Sequence, residues 1–337
     1  MPYNKHMQDI YKRLKNRGFD ASFLRHAVLP DWWEDDLAAN PANRALAEAT
    51  IAKQLGFRVA ELRDQGAELS FPALMNFRLR RNGNADAAEL RTAALIAQRF
   101  ARTLCRQCQE LPNFPGRLAA NDVRRELLKQ RPVVDLQALV DFAWSIGVLV
   151  AHIHPDRMPK SIRRFQGLAM FCDRRPMILL GHGTDSPPRL AFHLAHELGH
   201  LLLGHVTPSD PPLIDSVLEQ VDDEPQERDA DAFALTILTG LPNPQIAKPQ
   251  YELSGKKLAA IALSAGPQAG ADPGIVALVY GRTNDRWPVA QNALKALGQD
   301  HGAHETIARA LGDRLHEQEM PESTERFVTA LAGTEVE

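Results

Sequence analysis

FHLAHELGHLLLGH, residues 192–205, is apolar almost throughout, yet it carries His196, Glu197 and His200 through its middle. Buried polar and charged groups are costly unless something satisfies them. On a helix, residues four apart leave the same face, so the imidazoles of His196 and His200 project together and Glu197 follows toward that side. The H-E-x-x-H arrangement suits one zinc ion held by two nitrogens, with a carboxylate beside the attacking water. A metal at that face would answer the burial problem. Gly199 costs a helix roughly 1 kcal/mol relative to alanine, so close approach of another backbone is expected there. Upstream, HGTDSPP reads as the start of this helix. Asp185 or Ser186 is the expected cap, with proline tolerated in the first turn.

A zinc site with an open position needs a third protein ligand. EPQERDADAFALTIL, residues 224–238, reads as a second helix and offers Glu227, 27 residues beyond His200. Asp231 lies one turn later on the same side, where it could accept a hydrogen bond from a ligand histidine. Asp229 is the rival ligand, but at 100° per residue it points about 200° away from Glu227. His193 and His205 read as outer-layer or structural residues.

Working outward, GVLVAHI (147–153), QGLAMF (166–171) and PMILLG (176–181) are strand-like, with CDRR as a turn. A substrate chain could lie along an edge strand, with 166–171 and 176–181 as candidates. Tyr251 and Tyr280 are candidate oxyanion donors, and no spacing selects either. Segment 206–226, rich in Pro and Asp, reads as a loop beside the cleft. The expected fold is α+β and predominantly helical. A zincin-like core with a small sheet occupies 133–245, between a helical region at 1–75, a basic helical connector at 76–132 and a helical C-terminal region at 246–337.

Within 1–75, IAKQLGFRVAEL has the small residue, tight turn and apolar spacing of a helix-turn-helix, or of a plain helical hairpin. Residues 76–132 hold 12 Lys/Arg against 5 Asp/Glu, with Pro112, Pro115 and Gly116 dividing them into two helical pieces. Residues 133–245 reverse the balance, with 8 against 15. Such asymmetry can steer a partner, and Arg58, Arg78, Arg80 and Arg81 are candidate contacts to nucleic acid or an acidic protein. Averaged over 337 residues the charge is only −3, which makes no case for nucleic acid or membrane. The N-terminus lacks the apolar core of a secretory signal. Three cysteines are a sparse, odd set, as expected of a reducing cytoplasm. Cys105 and Cys108 form a C-x-x-C with no second pair, so they read as ordinary helix residues.

FHLAHELGHLLLGH followed by ERDADAFALTIL resembles the ImmA/IrrE family of zinc metallopeptidases. ADPGIVALVYGRTNDRWP looks like the segment that follows the catalytic region in many members. The resemblance is specific over about 130–245, looser to 295 and thin before 130. It implies a bacterial, cytoplasmic zinc endopeptidase with His196, His200 and Glu227 as ligands and Glu197 as catalytic base. It also implies a partner: an Xre-type helix-turn-helix repressor, cleaved in a stress, DNA-damage or mobile-element response. Asp229 stands where many members have a second glutamate. The rival reading is a non-proteolytic DNA- or repressor-binding regulator, or a toxin–antitoxin or phage-defence component, with zinc as a structural or sensing element. An intact Glu197 favours the enzyme.

Overall fold

The apolar, β-branched runs between Gly147 and Gly181 form three adjacent strands of a mixed sheet, as their composition predicts. The structure is a computed structural model that describes residues 2–70, 78–79, 87–108, 110–153, 155–159, 165–172, 174–181, 183–209, 213–216, 225–249, 252–315 and 320–334. Its strands are β1 (Arg78–Leu79), β2 (Leu149–His152), β3 (Phe165–Cys172), β4 (Arg175–Leu180) and β5 (Leu213–Ser216), in the order β1-β5-β3-β4-β2. β3 and β4 are an antiparallel hairpin with Ala169 opposite Ile178, and β2 runs parallel to β4. Arg174 takes the left-handed conformation, φ 70°, at the hairpin turn.

Helices surround the sheet. They are α1 (Pro2–Lys15), α2 (Ala21–Phe23), α3 (Pro41–Leu55), α4 (Val59–Arg63), α5 (Ala87–Gln107), α6 (Ala120–Gln130) and α7 (Leu136–Ser145). Then follow α8 (Pro187–Leu202), α9 (Pro225–Thr239), α10 (Gly255–Gln268), α11 (Pro273–Asn284), α12 (Trp287–Leu297), α13 (Ala303–Leu315) and α14 (Glu322–Ala332). The α+β, predominantly helical architecture matches the expectation. Local chemistry sets many boundaries. Asp135 accepts from the Ala138 N–H at 2.7 Å to open α7, and Asp272 accepts from the Gly274 N–H at 2.7 Å to open α11. α8 departs from this rule. Ser186 is its N-cap by backbone, but its hydroxyl donates to the Gln299 carbonyl at 2.7 Å. Asp185 accepts from the N–H groups of Gly302 and His304 instead, so both side chains tie the start of α8 to the entry of α13.

One apolar core runs from α1 through the sheet to α14, with Met7, Phe19, Phe100, Leu168, Leu194 and Phe327 buried in it. A smaller cluster, including Leu253, Leu258, Tyr280 and Leu294, joins α10, α11 and α12. α8 packs on β3 and β4, on α9, and on α7 and α11. Among the described residues, no helix is long and apolar enough to cross a membrane.

One choice left open by the sequence is narrowed, and three expectations meet a different outcome. Gly56 ends α3 at φ 79°, but the helix after it, α4, has only five residues and buries Leu62. One turn cannot lay several side chains on base edges as a recognition helix does, so this pair is a short helical hairpin. In the basic stretch, two cations are held by carbonyls within the fold. Arg124 donates to the carbonyls of Ile237 and Ala269 at 2.6 and 2.5 Å and Arg99 to that of Gln54 at 3.2 Å, while Arg131 pairs with Asp141 at the surface at 3.1 Å. That stretch also contributes β1, where a helix was expected. Finally, the connection between α8 and α9 contributes β5, which pairs with β3. β3 therefore lies between β5 and β4, and β4 between β3 and β2, so Gly167–Ala169 of β3 and Met177–Leu180 of β4 are paired on both sides.

Candidate metal centre

Two helices crossing at a glycine build the site. A Cβ on Gly199 would sit 3.2 Å from the Ala230 Cα and 3.3 Å from its carbonyl oxygen. Any side chain there would push α9 away from α8, which accounts for a glycine in mid-helix. The crossing brings Glu227, on the first turn of α9, to the face of α8 that carries the histidines. Among the described residues, His196, His200 and Glu227 form the one group of His, Cys, Asp or Glu side chains whose ligand atoms all lie within 4.8 Å of one another.

The distances are those of a ligand set. His196 Nε2 and His200 Nε2 are 3.1 Å apart, and Glu227 places one carboxylate oxygen 2.8 Å from His200 Nε2 and the other 3.3 Å from His196 Nε2. Tetrahedral ligands about 2.1 Å from zinc lie about 3.4 Å from one another. His196 Nδ1 lies 3.0 Å from Asp231 Oδ1. An Nδ1–H held by a carboxylate leaves the Nε2 lone pair facing the other two donors. His200 Nδ1 is 3.1 Å from His205 Nδ1, so the tautomer that frees His200 Nε2 donates from Nδ1 to His205. Two imidazole lone pairs and a carboxylate converging on one point repel unless a cation lies between them. This nitrogen–nitrogen–oxygen set therefore fits a small divalent metal of borderline softness.

Glu197 follows His196 on α8 and is 4% exposed, against 8% for His196 and 2% for His200. It stands outside the ligand group. Its carboxylate lies over β3 at Gly167, where a Cβ would come within 2.3 Å of Oε1. The absence of a side chain on Gly167 makes the space that the carboxylate fills.

The structure thus brings His196, His200, Glu227, Asp231 and Glu197 together. Asp229 is exposed on α9 and outside the group. His193 sits with its ring 6.0 Å from that of Phe192, also outside the group. Tyr280 is buried in the apolar cluster of α10–α12, and Tyr251 lies outside the described residues. Of the basic candidates, Arg58 is exposed at the N-cap of α4, Arg78 belongs to β1, and Arg80 and Arg81 lie outside the described residues. Sequence reasoning missed Gly167, because nothing in a strand's own pattern says which helix crosses it. His205, read as an outer-layer or structural residue, lies with its Nδ1 3.1 Å from His200 Nδ1.

Two of the three cysteines, Cys105 and Cys172, meet. All three are buried and outside any disulfide. A hydrogen bond to Cys172, reinforced by burial, holds the Cys105 thiol protonated, and burial pushes the Cys108 thiol up to about 11. Protonated buried thiols are poor ligands.

Removing the carboxylate at Asp231 should weaken metal binding while leaving three ligands in place. Asp231→Ala is expected to lower metal affinity roughly 10- to 100-fold, the usual effect of losing such a partner. Competition against a chelator of known affinity measures it. An unchanged affinity would show that Asp231 does not orient His196.

Residues 145–252, about one third of the chain, match the family model Peptidase_M78, the IrrE N-terminal-like domain. The matched segment contains β2 to β5, α8 and α9, and so the whole metal cluster. No curated protein and no solved structure matches the chain.

Proposed function

We propose that this chain, with an IrrE N-terminal-like peptidase domain at residues 145–252, is a cytoplasmic zinc endopeptidase that controls transcription by cutting a specific Xre-type helix-turn-helix repressor. Glu197 is the observation that carries the peptidase reading. A structural zinc site closes with four protein ligands. Among the described residues this site has three, and Glu197, next to His196 on the same helix, is a buried carboxylate outside that ligand group.

His196, His200 and Glu227 would hold the zinc, which when bound lowers the pKa of water and polarises a carbonyl. Glu197 accepts a proton from the attacking water as the water oxygen bonds to the scissile carbonyl carbon. It then delivers that proton to the amine nitrogen as the C–N bond breaks. Asp231 and His205 hold the two imidazoles in the orientation that keeps their Nε2 atoms inward. β3 covers the Glu197 carboxylate at Gly167, and the side chain is only 4% exposed, so bulk water is largely kept from it.

The resemblance to ImmA/IrrE peptidases supports a repressor as substrate. The helical N-terminal half is proposed to supply docking contacts to that partner or to DNA, with exposed Arg58 among them. Co-expression with a helix-turn-helix repressor encoded beside this gene tests the whole reading, using wild type and Glu197→Gln with and without DNA damage. One cut in the repressor, made by the wild type alone, is expected. Equal derepression by both would favour the non-proteolytic regulator, since binding would then suffice.

A further inference from the structure

The strand nearest the candidate base already has an occupant. β3 carries Gly167, against which the Glu197 carboxylate rests. An unpaired strand edge at that position would receive an extended peptide by backbone hydrogen bonding. Here that edge is filled from within the chain. β5 runs antiparallel along it, with Asp215 opposite Gly167, Ile214 opposite Leu168 and Leu213 opposite Ala169. β5 also belongs to the connection between α8 and α9, the two helices that carry the metal-ligating side chains. It is therefore tethered on both sides of the site.

The pairing of β5 is not regular throughout. Its register with β3 is irregular between Phe165 and Gly167, and among the described residues its outer edge pairs with Arg78 and Leu79 of β1. A strand whose ladder is interrupted at one end opens locally more readily than one that is paired without a break.

Resting on the peptidase reading above, we propose that the Gly167–Ala169 edge of β3 is the binding site for an extended peptide substrate, and that Leu213–Ser216 is a resident strand that must leave before the substrate enters. An incoming chain in the same register runs antiparallel to β3. Directly opposed residues of such a pair share a face of the sheet, so its residue opposite Gly167 faces the Glu197 side. The arrangement explains how a preformed centre could spare other proteins. Only a partner that dislodges β5 gains the edge, and a casual unfolded chain meets a closed sheet.

The test uses full-length, zinc-loaded protein in three forms: wild type, Ile214→Pro, and a chain with residues 213–216 replaced by four glycines. Ile214 lies between β1 and β3, where proline removes a ladder hydrogen bond. The glycine form guards against a folding defect peculiar to proline, and circular dichroism with zinc content qualifies each form. Binding is read by fluorescence anisotropy with a labelled peptide of the sequence 210–219, in Glu197→Gln backgrounds so that nothing is cut. Cleavage is read with casein. Both released forms should bind the peptide at least tenfold tighter than wild type and should cut casein at least tenfold faster, with Glu197→Gln abolishing the cutting. Equal peptide binding by all three forms overturns the resident strand. So does equal casein cleavage by wild type and released forms, which leaves the peptidase reading intact. Tighter peptide binding with no casein cleavage by any form supports the edge site while counting against the peptidase.

Discussion

His200→Ala should reduce zinc from about one ion per chain, the number a single three-ligand site implies, to nearly none. Glu197→Gln should keep the ion and lose all cleavage. His200 is 2% exposed, and its Nε2 lies within 3.1 Å of both other ligand side chains. Removing it leaves two ligands and a hole at the centre of the group. Glu197 lies outside that group, so the amide keeps the shape and removes only the proton acceptor. A well-placed general base contributes about 10²- to 10⁴-fold to rate, and losses of that order are expected. Metal analysis of purified protein and a cleavage assay separate the roles. If Glu197→Gln lost zinc as completely as His200→Ala, the division into ligand and base would be wrong.

Gly167→Ala should be nearly as damaging to cleavage, although it adds one methyl group far from the ligands in sequence. The new Cβ would stand 2.3 Å from Glu197 Oε1 and 2.9 Å from its Cδ. These atoms are the far end of a flexible side chain, so the strand can accept alanine by moving the carboxylate. Stability should change little. Catalysis should not survive the move, because a base displaced by about an ångström leaves hydrogen-bond reach of the water it must deprotonate. Activity is expected to fall about 100-fold or more, with zinc content unchanged and the melting temperature within a few degrees of wild type. Full activity in Gly167→Ala would mean that Glu197 acts from another position or does not act.

What the sequence disclosed, and what it hid, follows from the range of each interaction. The helix at 187–202, the strands between 149 and 180, and the helix that presents Glu227 are marked by local periodicity, and all appear. Gly199 was legible as an anomaly, and Ala230 across the crossing supplies its cause. β5 was not legible. Four residues after Asp210-Pro-Pro carry too little pattern to outweigh a loop reading, and their pairing lies with a strand more than forty residues upstream. β1 is described over Arg78 and Leu79 and pairs across still more chain. The basic stretch misled for a related reason. Charge counts record how many arginines there are, not that Arg124 reaches the carbonyls of Ile237 and Ala269. Likewise, the spacing of Cys105 and Cys108 shows no sign that Cys172 meets Cys105 across the packing of α5 on β3.

The account rests most directly on one metal ion lying between the two helices. Anomalous X-ray scattering on either side of the zinc absorption edge, from crystals of zinc-loaded protein, locates it. One peak is predicted at about 2.0–2.2 Å from His196 Nε2, His200 Nε2 and a Glu227 oxygen, with Glu197 outside bonding distance. A peak that includes Glu197 as a fourth protein ligand, or one at the cysteines with none at His196, would contradict it.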